Sequence, residues 1–171
     1  MSNISAAQVK ELREKTGLGL MDCKKALEDA EGNMDKAIEE LRKTSGVKAS
    51  KKSGRSAADG LIAIKNIEDQ IFMIEVNCET DFVARDDSFV EFTSQTLKSF
   101  SENPEKTLQE LMDDGIEDNR EKIVQKLGEN IVVRRVAKTE NSTITGSYLH
   151  SNNKIGLSLI HISEPTRRSS I

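Results

Sequence analysis

Residues 72–92, FMIEVNCETDFVARDDSFVEF, contain an extended apolar run, a polar corner and the start of an amphipathic helix. In the first part, apolar side chains occupy every second position: Phe72, Ile74, Val76 and Cys78. This period of two is typical of a half-buried strand. After the corner, large apolar side chains recur at helical spacing: Phe89, Phe92, Leu97 and Phe100. The stretch therefore predicts a strand that passes through a corner into a helix, with Cys78 buried.

The corner itself reads Thr80-Asp81-Phe82-Val83. Thr80 can cap a helix, and Asp81 adds a negative charge where the helix dipole stabilises it. Two interpretations of Phe82 follow from the residues alone. Most phenylalanines are buried, which favours a place in the core. An aromatic residue beside an acid on a tight corner also fits a wedge that is presented to a binding partner.

The bulk composition excludes several classes of protein. The 171 residues carry a formal charge of −4, which argues against a nucleic-acid-binding protein. No apolar run approaches the roughly 20 residues that a membrane-spanning helix needs, and the first residues do not resemble a signal peptide. Cys23 and Cys78 are too few for a disulfide framework and fit small core positions. We expect a soluble, cytoplasmic protein with no membrane partner.

Residues 1–45 predict a bundle of three helices. Ser5 and Gln8 form the pattern of a capping box, and each helix carries one narrow apolar stripe. Three such helices can bury their stripes only against one another. The connection between the first two helices, residues 17–21 (GLGLM), holds more apolar side chains than so small a bundle can enclose. We therefore expect part of this loop to be exposed.

A basic segment follows the bundle. Between Arg42 and Arg55 there are six Lys or Arg residues and no acidic residue. We interpret residues 46–58 as a solvated, partly helical linker. An RNA-binding or acid-binding arm is the alternative, although no aromatic side chain lies among the charges to stack on bases.

Residues 59–157 predict the rest of the fold. Residues 61–64 and 71–76 indicate the two strands of a hairpin. Helical patterns follow up to residue 128, and residues 131–136 and 143–149 indicate further strands. The fold class is therefore α+β, in which a three-helix bundle is joined to an antiparallel sheet covered by helices.

No set of residues for catalysis is evident. The two histidines, His150 and His161, have no metal-ligand spacing and no nucleophile partner, and no phosphate-binding loop occurs. We expect neither enzymatic activity nor a cofactor or metal site. A module that binds another protein fits better.

Five segments together resemble bacterial translation elongation factor Ts. They are residues 16–27 (TGLGLMDCKKAL), 57–60 (AADG), 75–85 (EVNCETDFVAR), 128–135 (GENIVVRR) and 147–156, which holds SYLH and a later IG. The resemblance covers residues 1–157 and implies a guanine-nucleotide exchange factor that accelerates GDP release from elongation factor Tu. It also implies a bundle of the ubiquitin-associated type, followed by the first half of the family's core domain.

The resemblance assigns partner-binding residues in three places. At the corner they are Thr80, Asp81, Phe82 and Val83, of which Asp81 and Phe82 intrude near the partner's magnesium site. In the bundle, the residues that dock on the partner's G domain are Leu20, Met21 and Lys25. The third place is His150. On this basis we expect Leu20 to be largely exposed in the free protein. Because Phe82 lies among acidic residues just past a sheet edge, we expect it to be partly exposed.

The chain also departs from the family pattern. Long members continue into a second core half, and short members act as dimers, so a homodimer stays open as an alternative. Residues 158–171 do not follow the family and are interpreted as a separate tail. An open sheet edge is expected near residues 155–160. Two other functions also stay open: a helical adaptor for another protein, and an RNA-binding protein that uses the basic segment.

Overall fold

A computed structural model describes residues 4–139 and 145–160 of the chain. Its N-terminal part consists of three helices: α1 (Ala6–Thr16), α2 (Leu20–Asp29) and α3 (Met34–Lys52). Ser5 caps α1 and forms the predicted capping box with Gln8. The apolar stripes of the three helices meet in a core of their own, which includes Leu12, Cys23 and Leu27.

The remaining elements form the α+β part. Its helices are α4 (Asp81–Ala84), α5 (Asp87–Glu102), α6 (Leu108–Leu111) and α7 (Glu117–Leu127), with a kink at Met112–Ile116 between the last two, where Gly115 takes a φ of 103°. Its strands are β1 (Asp59–Ile67), β2 (Gln70–Cys78), β3 (Val132–Lys138), β4 (Thr145–Leu149) and β5 (Gly156–Ile160). The α+β class is confirmed.

Strand β2 lies at the centre of a three-stranded antiparallel sheet of order β1-β2-β3. The predicted hairpin is confirmed: β1 and β2 pair with Leu61 opposite Val76, and Glu68 takes a left-handed backbone at the turn. The alternating side chains of β2 are buried under α5, and Phe72 packs edge-on against Phe100 with ring centroids 5.5 Å apart. The alternation in the sequence therefore identified the buried face correctly.

Both cysteines are buried and unpaired, as the sequence predicts. Burial, together with the nearby carboxylates of Glu129 and Asp59, raises the pKa of the Cys78 thiol to about 12. The Cys78 Sγ donates a hydrogen bond of 3.1 Å to the Thr80 carbonyl oxygen. This thiol is thus a neutral core group that fixes the chain where β2 ends.

Helix α3 continues beyond the predicted end of the bundle. The first half of the segment interpreted as a linker is helical up to Lys52, because one face of α3 packs against α7. Ser45 and Ala49 are buried there, and the Ser45 hydroxyl contacts the Gln125 side chain. The domain boundaries stay a prediction, but α3 physically joins the bundle to the α+β part.

A second, two-stranded sheet consists of β4 and β5. It lies across the outer face of the first sheet, where Gly156 approaches Ile62, Ile64 and Met73 so closely that a Cβ atom would meet them at 2.9–3.1 Å. In the described part of the chain, β5 pairs on one side only, as expected of an open edge. No helix within residues 4–139 and 145–160 has the length and apolar character that crossing a bilayer requires.

Gly60 supplies the most restrictive backbone position of the sheet. Its φ is +143°, and a Cβ atom there would lie 2.2 Å from the Val76 carbonyl oxygen on β2. Gly60→Ala should therefore destabilise the fold by about 3 kcal/mol or more in chemical denaturation, through steric overlap and backbone strain. Gly54→Ala, where a Cβ atom meets nothing within 4 Å, should change the unfolding free energy by less than about 0.5 kcal/mol. Equal effects of the two substitutions would contradict this explanation.

Candidate functional site

The corner after β2 folds as the sequence predicts. Thr80 is extended, with φ −128° and ψ 157°, and its Oγ1 accepts a hydrogen bond of 3.4 Å from the Val83 amide. Thr80 is thus the N-cap of the single-turn helix α4. Asp81 opens the turn and pairs with Arg85, with 2.9 Å between Oδ2 and Nη2. Because both side chains lie at the surface, this ion pair adds little to stability.

Phe82 points away from the core and is 82% exposed. The interpretation of Phe82 as a core residue is therefore wrong, and its expected exposure is confirmed. The reason lies in the single turn: Val83 and Ala84 face inward and pack on the core, so the preceding side chain must face solvent. An aromatic ring held in water at a rigid corner is typical of a binding anchor.

A carboxylate from a distant loop holds the corner in place. One oxygen of Glu129 accepts hydrogen bonds of 3.0 Å from the amides of both Glu79 and Thr80, and the other accepts one of 2.6 Å from the Thr80 hydroxyl. In return, Glu79 Oε1 accepts a hydrogen bond of 2.7 Å from the Asn130 amide. We call this reciprocal set the Glu79–Glu129 clamp. It supplies acceptors for the amides of the two residues directly before α4 and so fixes where this helix begins.

The clamp is connected to the end of α3. The Asn130 amide nitrogen Nδ2 donates to the carbonyl oxygens of Ser53 at 3.3 Å and Arg55 at 2.8 Å. Arg55 also lies 3.6 Å from the Glu79 carboxylate. The turn at residues 53–55 is therefore bound to the same short segment that holds the corner.

The sequence interpretation assigned no role to Glu129 or Asn130, although it quoted the segment that contains them. The available signal was an acid and an amide directly after Gly128, which ends α7 in a left-handed conformation. The side chains of such residues have no partners within the helix and are free to form hydrogen bonds with the backbone of another loop.

The turn after β4 lies across a cleft from the corner. The cleft has a volume of about 380 Å³ and is lined by Asp81, Ala84 and Arg85 on one side and by residues 151–154 on the other. His150, which precedes this turn, is partly exposed, and its ring lies 6.3 Å from that of Tyr148. The turn closes through the His150 amide, which donates to the Ile155 carbonyl oxygen at 2.9 Å. Asp81 and the His150 turn thus flank one surface.

The predicted residues of the bundle form a separate patch. Leu20 is 52% exposed and Met21 is 72% exposed, and Lys25 is also at the surface. The expected exposure of Leu20 is confirmed. Leu18 is only 3% exposed, so this loop contributes one apolar side chain to the bundle core. No hydrogen bond or shared cleft of the described residues joins this patch to the corner.

Asp22 anchors this patch to the rest of the protein. Its carboxylate accepts hydrogen bonds from Lys48 on α3 at 3.1 Å and from Gln125 on α7 at 3.2 Å. Partial burial acts to raise the pKa of Asp22, but these two hydrogen bonds and the nearby lysine charges lower it overall. The contribution to stability is therefore present at neutral pH and is lost as the pH falls through the lowered pKa.

The described residues contain no group of three His, Cys, Asp or Glu side chains that could hold a metal ion. The candidate site consists instead of exposed apolar and charged side chains on rigid turns. This fold and this surface define an α+β protein with the features of a protein-binding module.

Comparison with known proteins identifies its family. A family model described as Elongation factor TS matches residues 79–168. Proteins named elongation factor Ts from Marinobacter nauticus and Hahella chejuensis are 55% and 50% identical over 157 and 159 residues, covering 91% and 92% of this chain. The chain belongs to the elongation factor Ts family. It spans 54% and 55% of these two relatives, about half their length.

The family match extends into the segment that the sequence interpretation set apart. It runs to residue 168, whereas residues 158–171 were interpreted as a tail outside the family. Residues 161–171, including His161, lie outside the described residues, so the origin of this tail stays a prediction.

The clamp predicts a local effect of removing Glu129. In Glu129→Ala, the amides of Glu79 and Thr80 lose their acceptor, which should cost about 1–3 kcal/mol of local stability. Hydrogen exchange at these two amides should become about tenfold faster or more, while exchange in α1 stays unchanged. Glu14→Ala, at an exposed position of α1, is the control and should leave the corner amides unaffected. Unchanged exchange at Thr80 in Glu129→Ala would show that the clamp does not hold the corner.

Proposed function

We propose that this chain is a guanine-nucleotide exchange factor for elongation factor Tu in translation elongation. It binds the G domain of that protein and promotes GDP release by disturbing the magnesium and phosphate site. The observation that carries the proposal is the exposed ring of Phe82, held outward by the clamp. Membership of the elongation factor Ts family supports the identity of the partner.

The proposed mechanism requires no bond to be made or broken in this chain. The exchange factor binds the nucleotide-free state of its partner more tightly than the GDP-bound state, and this difference in affinity lowers the affinity for GDP by the same factor. Phe82 supplies apolar contact area to the favoured state. Asp81 brings a carboxylate close to bound phosphates, where charge repulsion disfavours the nucleotide.

The rigidity of the corner supports this mechanism. A wedge that had to be ordered on binding would lose part of its interaction energy to conformational entropy. The clamp fixes the backbone on the N-terminal side of Phe82 before the partner arrives. The His150 turn lies across the cleft from Asp81, and we propose that it contacts the same region of the partner.

The N-terminal patch provides a second contact in this proposal. Leu20, Met21 and Lys25 dock on the G domain, and the hydrogen bonds of Asp22 to α3 and α7 keep them at a fixed position relative to the corner. Two contacts on one rigid frame reinforce each other, because binding of the first places the second at high effective concentration.

The alternative of an RNA-binding arm receives less support. Four of the six cations between Arg42 and Arg55 lie in ion pairs with acidic side chains: Arg42 with Asp118, Lys43 with Glu39 and Glu40, Lys48 with Asp22, and Arg55 with Glu79. Paired cations offer less charge to a phosphate backbone. The buried, unpaired cysteines agree with a cytoplasmic location, which we also propose. The open side of β5 keeps a homodimer as an alternative assembly.

The proposal is tested by the release of a fluorescent GDP analogue from elongation factor Tu. Adding the full chain should accelerate release in proportion to its concentration until the partner is saturated. A labelled RNA in the same buffer should show no binding. An unchanged release rate at saturating concentration of the folded chain would reject the proposed exchange activity, and tight RNA binding would favour the alternative.

Phe82→Ala separates a binding anchor from a structural residue. Because the ring is exposed in the free chain, its loss should leave the melting temperature nearly unchanged. It should weaken the productive complex by about 2–4 kcal/mol, the usual contribution of an aromatic hot spot. The readouts are thermal unfolding and the rate of GDP release. Phe89→Ala, in the core, is the contrasting variant and should destabilise the fold by about 3–5 kcal/mol. Normal GDP release by Phe82→Ala would reject the wedge.

Leu20→Asp tests the second contact. An exposed leucine can be replaced by a charged residue at little cost to folding, so the melting temperature should stay nearly unchanged. The affinity for elongation factor Tu should fall about tenfold or more. Leu18→Ala, two residues earlier and buried, should instead destabilise the bundle by about 2–5 kcal/mol. Unaltered affinity of Leu20→Asp would remove the N-terminal patch from the interface.

A further inference from the structure

Within residues 4–139 and 145–160, strand β1 has β2 as its one strand partner and therefore lies at the edge of the three-stranded sheet. The Ile62 amide donates to the Asn153 carbonyl oxygen at 2.7 Å and therefore points away from β2. In a strand the direction of the backbone groups alternates. The amide and carbonyl of Ile64 consequently point to the same open side as those of Ile62.

A groove runs along this edge. Its volume is about 400 Å³, and its floor is β1 between Leu61 and Lys65. One wall is α5, which contributes Val90, Thr93, Ser94, Leu97 and Lys98. The other wall is formed by Leu149 and Asn153 next to the β4–β5 sheet. The groove thus combines outward-pointing backbone groups with apolar side chains on both sides.

This combination is the one that binds extended peptides by strand addition. In that mode, main-chain hydrogen bonds supply affinity and the groove walls receive alternate side chains of the peptide. The apolar side chains of Val90, Leu97 and Leu149 would contact alternate apolar residues of such a peptide. At about 3.3 Å per residue, the floor between Leu61 and Lys65 spans roughly five residues. Because the Asn153 carbonyl oxygen already accepts from the Ile62 amide, the main-chain pairing of an added segment would begin at Ile64.

The charge of the groove indicates the chemistry of the peptide. Its lining residues include Lys65 and Lys98 and no acidic residue. Lys65 donates to the neutral Ser101 hydroxyl at 3.0 Å, and Lys98 lies 3.9 Å from Glu102 with both side chains largely exposed. These two cations lie toward one end of the groove, with Asn153 toward the other. An acidic residue or a terminal carboxylate at the lysine end would therefore be favoured.

We propose that this β1 edge groove is a docking site for an extended, acidic segment of a partner protein, which adds to the sheet as a fourth strand beside β1. The groove adjoins the cleft beside the corner and shares Asn153 with the His150 turn, but Ile64, Lys65 and Lys98 have no assigned role in binding elongation factor Tu, so they offer the chain a second interaction.

The binding test uses a fluorescein-labelled peptide of about eight residues that alternates valine with threonine and ends in two glutamates. Fluorescence polarisation with the full chain should give saturable binding. A peptide that ends in two lysines should bind with an affinity at least about tenfold lower, because its lysines are repelled by Lys65 and Lys98. Absence of saturable binding at millimolar chain concentration, or equal binding of the two peptides, would overturn the proposal.

Two variants locate the bound peptide. Ile64→Pro removes an amide that points to the open edge, a position where a strand tolerates proline, and should weaken peptide binding about tenfold or more. Lys98→Glu, on the exposed face of α5, should weaken binding of the acidic peptide to a similar extent without affecting the sheet. Lys36→Glu changes the net charge equally but lies on α3, outside the groove lining, and should bind normally.

Two control measurements test whether each variant is folded and where the peptide binds. Melting curves establish that each variant is folded, and amide chemical shifts of the folded protein should move at Ile64 and Val90 when the peptide is added. Binding that is insensitive to Lys98→Glu, or shifts confined to β4 and β5, would overturn the assignment to this groove. The variants retain Phe82 and Leu20, so a failure here is distinguishable from a failure of the exchange function.

Discussion

The reciprocal hydrogen bonds between Glu79 and Glu129 hold together the part of the protein that we propose to be functional. The Glu129 carboxylate accepts hydrogen bonds from the amides of Glu79 and Thr80, and the Glu79 carboxylate accepts one from the amide of Asn130. A helix of one turn cannot stabilise itself, because nucleation is unfavourable and few of its backbone groups find partners. The Glu129 carboxylate instead holds the two residues directly before the helix, so Phe82 can remain exposed without the corner unfolding.

The same segment also connects the two parts of the chain. Asn130 binds the carbonyl groups of Ser53 and Arg55, just after α3 ends. Gly46 allows α3 to approach α7, since a Cβ atom there would lie 3.1 Å from the Glu121 carboxylate. The bundle is therefore attached to the α+β part through both α3 and the clamp. The exposed side chains on α2 and at the corner are thus held at fixed positions relative to one another.

Residue patterns could predict the elements that have a regular period. Alternation along residues 72–78 located the buried face of β2, and the cap residues Ser5 and Thr80 marked helix starts correctly. The direction of Phe82 could not be predicted in this way, because a single turn has no periodicity to define its faces. The clamp joins residues about 50 positions apart, and the length of α3 depends on its packing against α7. Both require tertiary contacts that local patterns do not encode. The acidic neighbours of Phe82 and its place just past a sheet edge favoured exposure, in agreement with the role that the family resemblance implies.

In the proposed mechanism, the clamp promotes nucleotide exchange by positioning Phe82. A double-mutant cycle of Glu129→Ala and Phe82→Ala, read out as the rate of GDP release from elongation factor Tu, tests this most directly. If Glu129 acts through Phe82, its removal slows release in the wild-type background and has little further effect once Phe82 is absent. Losses that add fully in the double mutant, with every variant folded, would contradict the account.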